Sequence, residues 1–219
     1  MKKLLVLLYG ITNYNLGSLA LVYLIAFLFN FYVPVSIDAS PFAFGDGSNL
    51  VIATAINIGL ITLFGLQHSI MARPAFKKWL IRYLPQAAER STFMAATAMV
   101  TFALCLLWQP MPGIIWQAEN AIVYNGLLAI GLAGWALVFY STFLINHFDL
   151  FGLRQVWLYY RGRPYTPLGF VTPGPYRIVR HPMYIGWLLA FWTTPTMTVA
   201  HLAFALIITA YILTAVYFE

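Results

Sequence analysis

The sequence predicts an all-α integral membrane protein: four spans, then a C-terminal helical hairpin, with one long kinked fifth span as the alternative. Three observations carry this prediction. Of 219 residues, 62% are hydrophobic and 8% charged, and mean hydropathy is +0.79; a soluble domain carries about 25% charged residues. Apolar runs long enough to cross a bilayer recur between short polar segments. All twelve Lys and Arg fall in the N-terminus, the second-to-third connection and the fourth-to-fifth connection. The net charge of +6 is therefore read as positive-inside topology with a cytoplasmic N-terminus. No nucleic-acid partner is expected.

The elements follow in order. Lys2 and Lys3 precede a first span, Leu4 to Tyr32, ended by Val33-Pro34. It runs too far for a signal peptide and lacks a small-residue cleavage site, so it is read as retained. The loop Ser36 to Asn49 holds Asp38 and Asp46 but no Lys or Arg, and Leu50 to Met71 is the second span. In the cytoplasmic segment 72–91, basic residues alternate with Phe76, Trp79, Tyr83 and Leu84, the pattern of a short interfacial amphipathic helix. Ser91 is placed to N-cap the third span, Thr92 to Trp108. The loop to Asn120 again lacks Lys and Arg. Ala121 to Ile145 is the fourth span, where Gly126, Gly131 and Gly134 offer close helix approach. Segment 146–182 is the longest polar region and carries five arginines.

Met183 to Glu219 exceeds the ~20 residues of one span, and Thr193-Thr194-Pro195-Thr196 interrupts it. Pro195 removes a helix hydrogen bond among turn-forming residues, which favours a hairpin with a first arm ending at Thr193. The chain stops at Glu219 in mid-pattern, read as a protein that continues beyond it. No internal repeat is visible, so residues 1–219 are taken as one membrane domain. Cys105 is the sole cysteine, which excludes an internal disulfide and a cysteine metal cluster.

The candidate chemistry gathers at the cytoplasmic face, where an active site is expected. Thr172 to Gly186 packs two arginines, a histidine, two tyrosines and several prolines between apolar runs. Pro182 suits the first turn of a helix, placing Arg180 and His181 at its mouth. Such a terminus offers free N–H groups and a favourable dipole to an anionic ligand group. Gln67, His68 and Ser69 end the second span; Asn146, His147 and Asp149 end the fourth. Ionisable residues bordering a span are costly and often functional. Singly, each reads equally well as a snorkelling or hydrogen-bonded interface residue; three clusters at one face favour a site.

The four histidines come from four segments without ligand spacing, so no metal is expected. His201 is placed on the far side or inside the second arm. No nucleophile elbow, Walker loop or dinucleotide-binding glycine pattern occurs. The aromatic run Trp157 to Tyr176 is mostly an interfacial belt, with the alternative of walling an adenine or stacking a sulfonium.

Gly174-Pro175-Tyr176, Arg180-His181-Pro182-x-Tyr184-x-Gly186 and a helical pair ending in an acidic residue resemble the isoprenylcysteine carboxyl methyltransferase superfamily, which includes phospholipid methyltransferases and NnrU-like proteins. A broader resemblance rests on Gln67-His68-Ser69-x-Met71-Ala72-Arg73-Pro74, Glu89-Arg90-Ser91 and His147 to Gln155. These are similar to the bacterial methanethiol S-methyltransferases. The resemblance implies methyl transfer from S-adenosylmethionine to methanethiol, giving dimethyl sulfide and S-adenosylhomocysteine. Its rivals are methylation of a lipid amine or prenyl-cysteine carboxylate, and a non-enzymatic NnrU-like membrane factor.

On that reading Arg180, His181 and the helix N-terminus hold the cofactor carboxylate. Tyr176, Tyr184 and Gly186 line its pocket, and Glu219 holds its amino or ribose group. His147, with Asp149, is the first candidate for the base that takes the thiol proton, and His68 the second. Gln67 and Asn146 are placed at the substrate. A small apolar thiol would enter from the bilayer side.

Overall fold

The structure, a computed structural model, describes residues 1–44, 49–169 and 173–218. Two long apolar helices open the chain, α1 (Lys2–Leu28) and α2 (Leu50–Ala72). The Asn49 side chain caps α2 by accepting from the Ile52 N–H. Pro74 starts the short α3 (Pro74–Leu80), which buries none of its residues, as an interfacial helix should. α4 (Glu89–Leu107) and the strand β1 (Ile114–Gln117) lead to α5 (Ala121–Leu144), capped by Asn120. Two short helices, α6 (His147–Leu150) and α7 (Leu153–Tyr160), fold the basic connection. α8 (Pro182–Trp192), β2 (Thr196–Thr198) and α9 (Val199–Phe218) complete the chain.

Among the described residues, α1, α2, α4 with the turn before it, α5 and α9 are long and apolar enough to cross a membrane. α8 is apolar but shorter. This is the predicted all-α membrane class, with the C-terminal hairpin in place of a single kinked helix. The hairpin turn is more ordered than a loop of Thr and Pro implies. β1 and β2 pair antiparallel, Ile114 opposite Thr198 and Gln117 opposite Thr196. His201, fully buried, ties the arms by hydrogen-bonding through Nε2 to the Phe191 carbonyl at 2.9 Å. It is remote from the other histidines, as expected.

Small residues set the packing of α8 on α5. A Cβ added at Gly134 would lie 2.6 Å from the Ala190 nitrogen and 2.7 Å from the Gly186 oxygen, so the two backbones touch. Gly131 meets Thr193 in the same way, whereas Gly126 faces open space and gives no close approach. On the half of the bundle away from the basic residues, Phe27, Trp108, Phe204 and Phe191 form a chain of edge-on rings in the buried core.

Ser91 does not cap α4. The helix starts earlier, at Glu89 after a 3₁₀ turn over Gln86–Ala88, and Ser91 is fully buried inside it. An acidic residue in the first turn complements the helix dipole. The packing neighbours run α1–α4–α2–α9–α8–α5. This order places the start of α8 between the ends of α5 and α9.

Candidate active site

On α2, His68 follows Phe64 by one turn, so the two rings share a face and stack at 5.6 Å. Phe93 of α4 closes the other side at 4.9 Å. The His68 Nδ1 is buried and has no hydrogen-bond partner among the described residues. The neighbouring Gln67 donates from Nε2 to the Met71 sulfur at 3.1 Å, while its Oε1 is also buried and unpartnered. Buried polar atoms are normally satisfied; these two, on adjacent residues, have no partner among the described residues. Ser69 and Tyr211 hydrogen-bond at 3.2 Å, joining α2 to α9. Gly65 makes room for the Tyr211 ring.

The second cluster is organised differently. Asn146 adopts a left-handed conformation (φ 83°) and caps α6 by accepting from the Asp149 N–H, a conformation that Asn tolerates better than most residues. His147 is buried, stacked on Phe143 with ring centroids 4.2 Å apart and edged by Phe151. Both its nitrogens are engaged: Nδ1 with Thr142 Oγ1 and Nε2 with the Tyr14 hydroxyl, each at 2.8 Å. Burial pushes the imidazole below its ordinary pKa.

Asp149 turns away from His147. It pairs with Arg154 at 2.9 Å and accepts from the Tyr165 hydroxyl at 3.1 Å. Arg154 in turn donates to the Thr166 carbonyl. Burial and the adjacent Asp149 raise the Tyr165 pKa. Asp149 thereby fastens the basic connection. Gly152 (φ 88°) lets the chain pass so close that an added Cβ would lie 2.9 Å from the Ser91 nitrogen.

The third cluster begins with a 3₁₀ turn, Gly174–Arg177. His181 occupies the N-cap of α8, and Pro182 the first helical position. The Tyr184 ring stacks on His181 at 5.1 Å. Arg180 is exposed at the mouth of the helix. Burial raises the Tyr176 pKa, against the pull of the adjacent Ser141 hydroxyl. Gly186 is buried against Gly134 and Val138, so its small size serves helix approach. Glu219 and Thr172 lie outside the described residues.

The end of α5 links two of these clusters, because Ser141 faces Tyr176 while its neighbour Thr142 holds His147. The Gln67–Ser69 cluster is joined to α9 through Tyr211. Among the described residues, His68 and His147 make ring contacts with different partners and do not touch each other. Tyr14, Thr142, Phe93 and Tyr211 belong to none of the sequence motifs. Nothing local distinguishes them from ordinary span residues.

The chain is 45% identical over 222 residues to a methanethiol S-methyltransferase of Crocosphaera subtropica, spanning 100% of this chain and 84% of that protein. A methanethiol S-methyltransferase of Bradyrhizobium diazoefficiens is 44% identical over 217 residues, covering 99% and 82%. The chain belongs to the methanethiol S-methyltransferase family. The chain is also similar to nurim of Sus scrofa, 31% identical over 173 residues, 75% of this chain and 65% of that protein. No family model and no solved structure matches the chain.

Proposed function

We propose that this protein transfers a methyl group from S-adenosylmethionine to the sulfur of methanethiol, giving dimethyl sulfide, at the basic end of the bundle. The full-length similarity to methanethiol S-methyltransferases carries the reading. By the positive-inside rule this end faces the cytoplasm of a bacterial inner membrane, with the N-terminus on the same side.

The residues at the α8 start fit the donor. The N-terminal turn with Arg180 beside it suits a carboxylate. The stacked pair His181–Tyr184 and the half-buried Tyr176 offer aromatic faces to an adenine and a sulfonium. Glu219, for the amino or ribose group, rests on the sequence pattern alone. When bound, the donor supplies a methyl carbon on a positively charged sulfur, open to in-line attack.

The protein's part is then to position a thiol and take its proton. A thiolate is the nucleophile, so a group at the acceptor site must accept the S–H proton as the new C–S bond forms. His68 suits that task, since its Nδ1 is buried and uncommitted and Gln67 Oε1 lies on the next residue. Phe64 and Phe93 wall the imidazole and exclude water. His147, the first candidate from sequence, has both nitrogens occupied; it acts as a positioning residue that joins α1 to the end of α5. Asn146 and Asp149 shape the loop around it.

The test supplies purified full-length protein with methyl-labelled S-adenosylmethionine and methanethiol, and measures labelled dimethyl sulfide. No product from a folded, cofactor-binding preparation overturns the reading. His181→Ala should weaken cofactor binding; equal affinity would remove His181 from the site.

A further inference from the structure

A cleft of about 730 Å³ opens on the basic face, lined among the described residues by none of α8 or α9. Its walls come from the first turn of α1, from α3, the start of α4, α7 and residues 163–165. Lys2, Lys77, Arg90 and Arg163 converge on it against one carboxylate, Glu89. Among the described residues, no ion pair joins Glu89 to any of the four. Among the described residues, the cleft therefore holds an excess of positive charge that no carboxylate neutralises by direct pairing.

A buried acceptor sits in the same wall. Gln155 is 8% exposed and donates from Nε2 to the Asp149 carbonyl at 2.9 Å, while its Oε1 has no partner among the described residues. A bare anion would not satisfy that oxygen; a ligand carrying both an anionic group and a hydroxyl donor would.

The surroundings place the cleft at the level of lipid headgroups. α1 leaves it with Leu4, Leu5 and Leu8 exposed on its surface. Trp79 and Tyr83 are exposed on the α3 side, and on the α7 side Arg161 lies over the exposed Trp157 ring at 5.7 Å. Exposed Trp and Tyr beside basic residues are characteristic of a bilayer interface.

We propose that this cleft binds the headgroup of an anionic phospholipid whose phosphodiester bears a hydroxylated substituent, as in phosphatidylglycerol. The four cations take the phosphate, Gln155 Oε1 accepts from a headgroup hydroxyl, and the acyl chains lie along the leucines of α1. A free phosphate would match the charge but not the apolar wall.

The experiment titrates the full-length protein, held in neutral detergent, with phosphatidylglycerol, phosphatidylmethanol and phosphatidylcholine, reading bound lipid by native mass spectrometry. Phosphatidylglycerol should bind with about one retained lipid per chain and outcompete phosphatidylcholine. It should also bind several-fold tighter than phosphatidylmethanol, which has the charge without the hydroxyls; equal affinity overturns the role of Gln155. The double variant Lys77→Gln/Arg163→Gln should weaken binding about thirtyfold. Arg73→Gln/Arg82→Gln, equal in charge but outside the cleft, should leave it within threefold. Equal losses in the two variants overturn the site in favour of diffuse surface charge. Displacement of the lipid by equimolar inorganic phosphate or glycerol 3-phosphate overturns the lipid in favour of a soluble ligand.

Discussion

The Tyr14 hydroxyl donates to His147 Nε2 across 2.8 Å, and this direction follows from the opposite side of the ring. Thr142 gives its only hydroxyl proton to the Phe139 carbonyl at 2.7 Å, so it can only accept from His147 Nδ1 at 2.8 Å. A neutral imidazole with its proton on Nδ1 leaves Nε2 as the acceptor. Replacing Tyr14 by Phe keeps the ring but strands a buried acceptor, a loss of about 1–3 kcal/mol. Thermal unfolding of Tyr14→Phe in detergent should show a lowered Tm; an unchanged Tm would separate the bond from stability.

The same neutral histidine predicts a pH dependence. Burial holds the His147 pKa below its ordinary value near 6.5, so between the two values the unfolded chain binds more protons than the folded one. Stability is therefore fully present above the unfolded value and falls as pH drops through it toward the folded one. A Tm series from pH 8 to pH 5 should decline below about pH 6.5, and His147→Gln should flatten that decline.

His68 and His147 should separate kinetically. Loss of a positioned proton acceptor typically costs 10²- to 10⁴-fold in rate, and His68 carries the uncommitted buried nitrogen. His68→Ala should therefore lower kcat by about that factor with little change in Tm. His147→Ala should lower Tm first and kcat less. Raising the pH should partly rescue His68→Ala, because more thiolate is then present without a base. Absence of rescue, with a normal fold, would take the proton away from His68.

Spans and hairpin were legible because each leaves a linear signal. Apolar length marks α1, α2, α4, α5 and α9, unbroken charge alternation marks the basic end, and Pro195 marks the turn. The motif at α8 was legible as Pro182 after Arg180-His181. What stayed hidden was pairing between distant segments. His147 is a polar residue beside a span, and sequence alone cannot show that Tyr14, 133 residues earlier, already fills its second nitrogen. Likewise Asp149, two positions away, looked like its partner but answers to Arg154 and Tyr165. The strand pair β1–β2 was hidden for the same reason, being two short segments that pair only in the folded chain.

Gly134 tests how far the α8 site depends on helix packing. Its backbone meets that of α8 at Gly186 and Ala190, and no side chain there can yield. Gly134→Val should push α8 outward, destabilising the fold by several kcal/mol, at or beyond the ~1–3 kcal/mol usual for overpacking. Cofactor affinity should fall with it, since the displaced helix carries His181 and Tyr184. Gly126→Val, facing open space, is the control and should change neither.

Asn57 offers the complementary case, a polar residue deep in a span whose work is structural. It is fully buried, donating from Nδ2 to the Gln109 carbonyl and accepting from the Gln109 N–H, each at 2.8 Å. These bonds satisfy backbone groups just past the C-terminal end of α4, where the helix has no further turn to supply partners. Asn57→Leu matches the side chain in size but strands a buried N–H and C=O, at about 1–3 kcal/mol each. The variant should lose several degrees of Tm while keeping the wild-type KM for both substrates, because Gln109 lies at the end of α4 away from the basic face. A raised KM with unchanged Tm would instead place this amide on the path to the site.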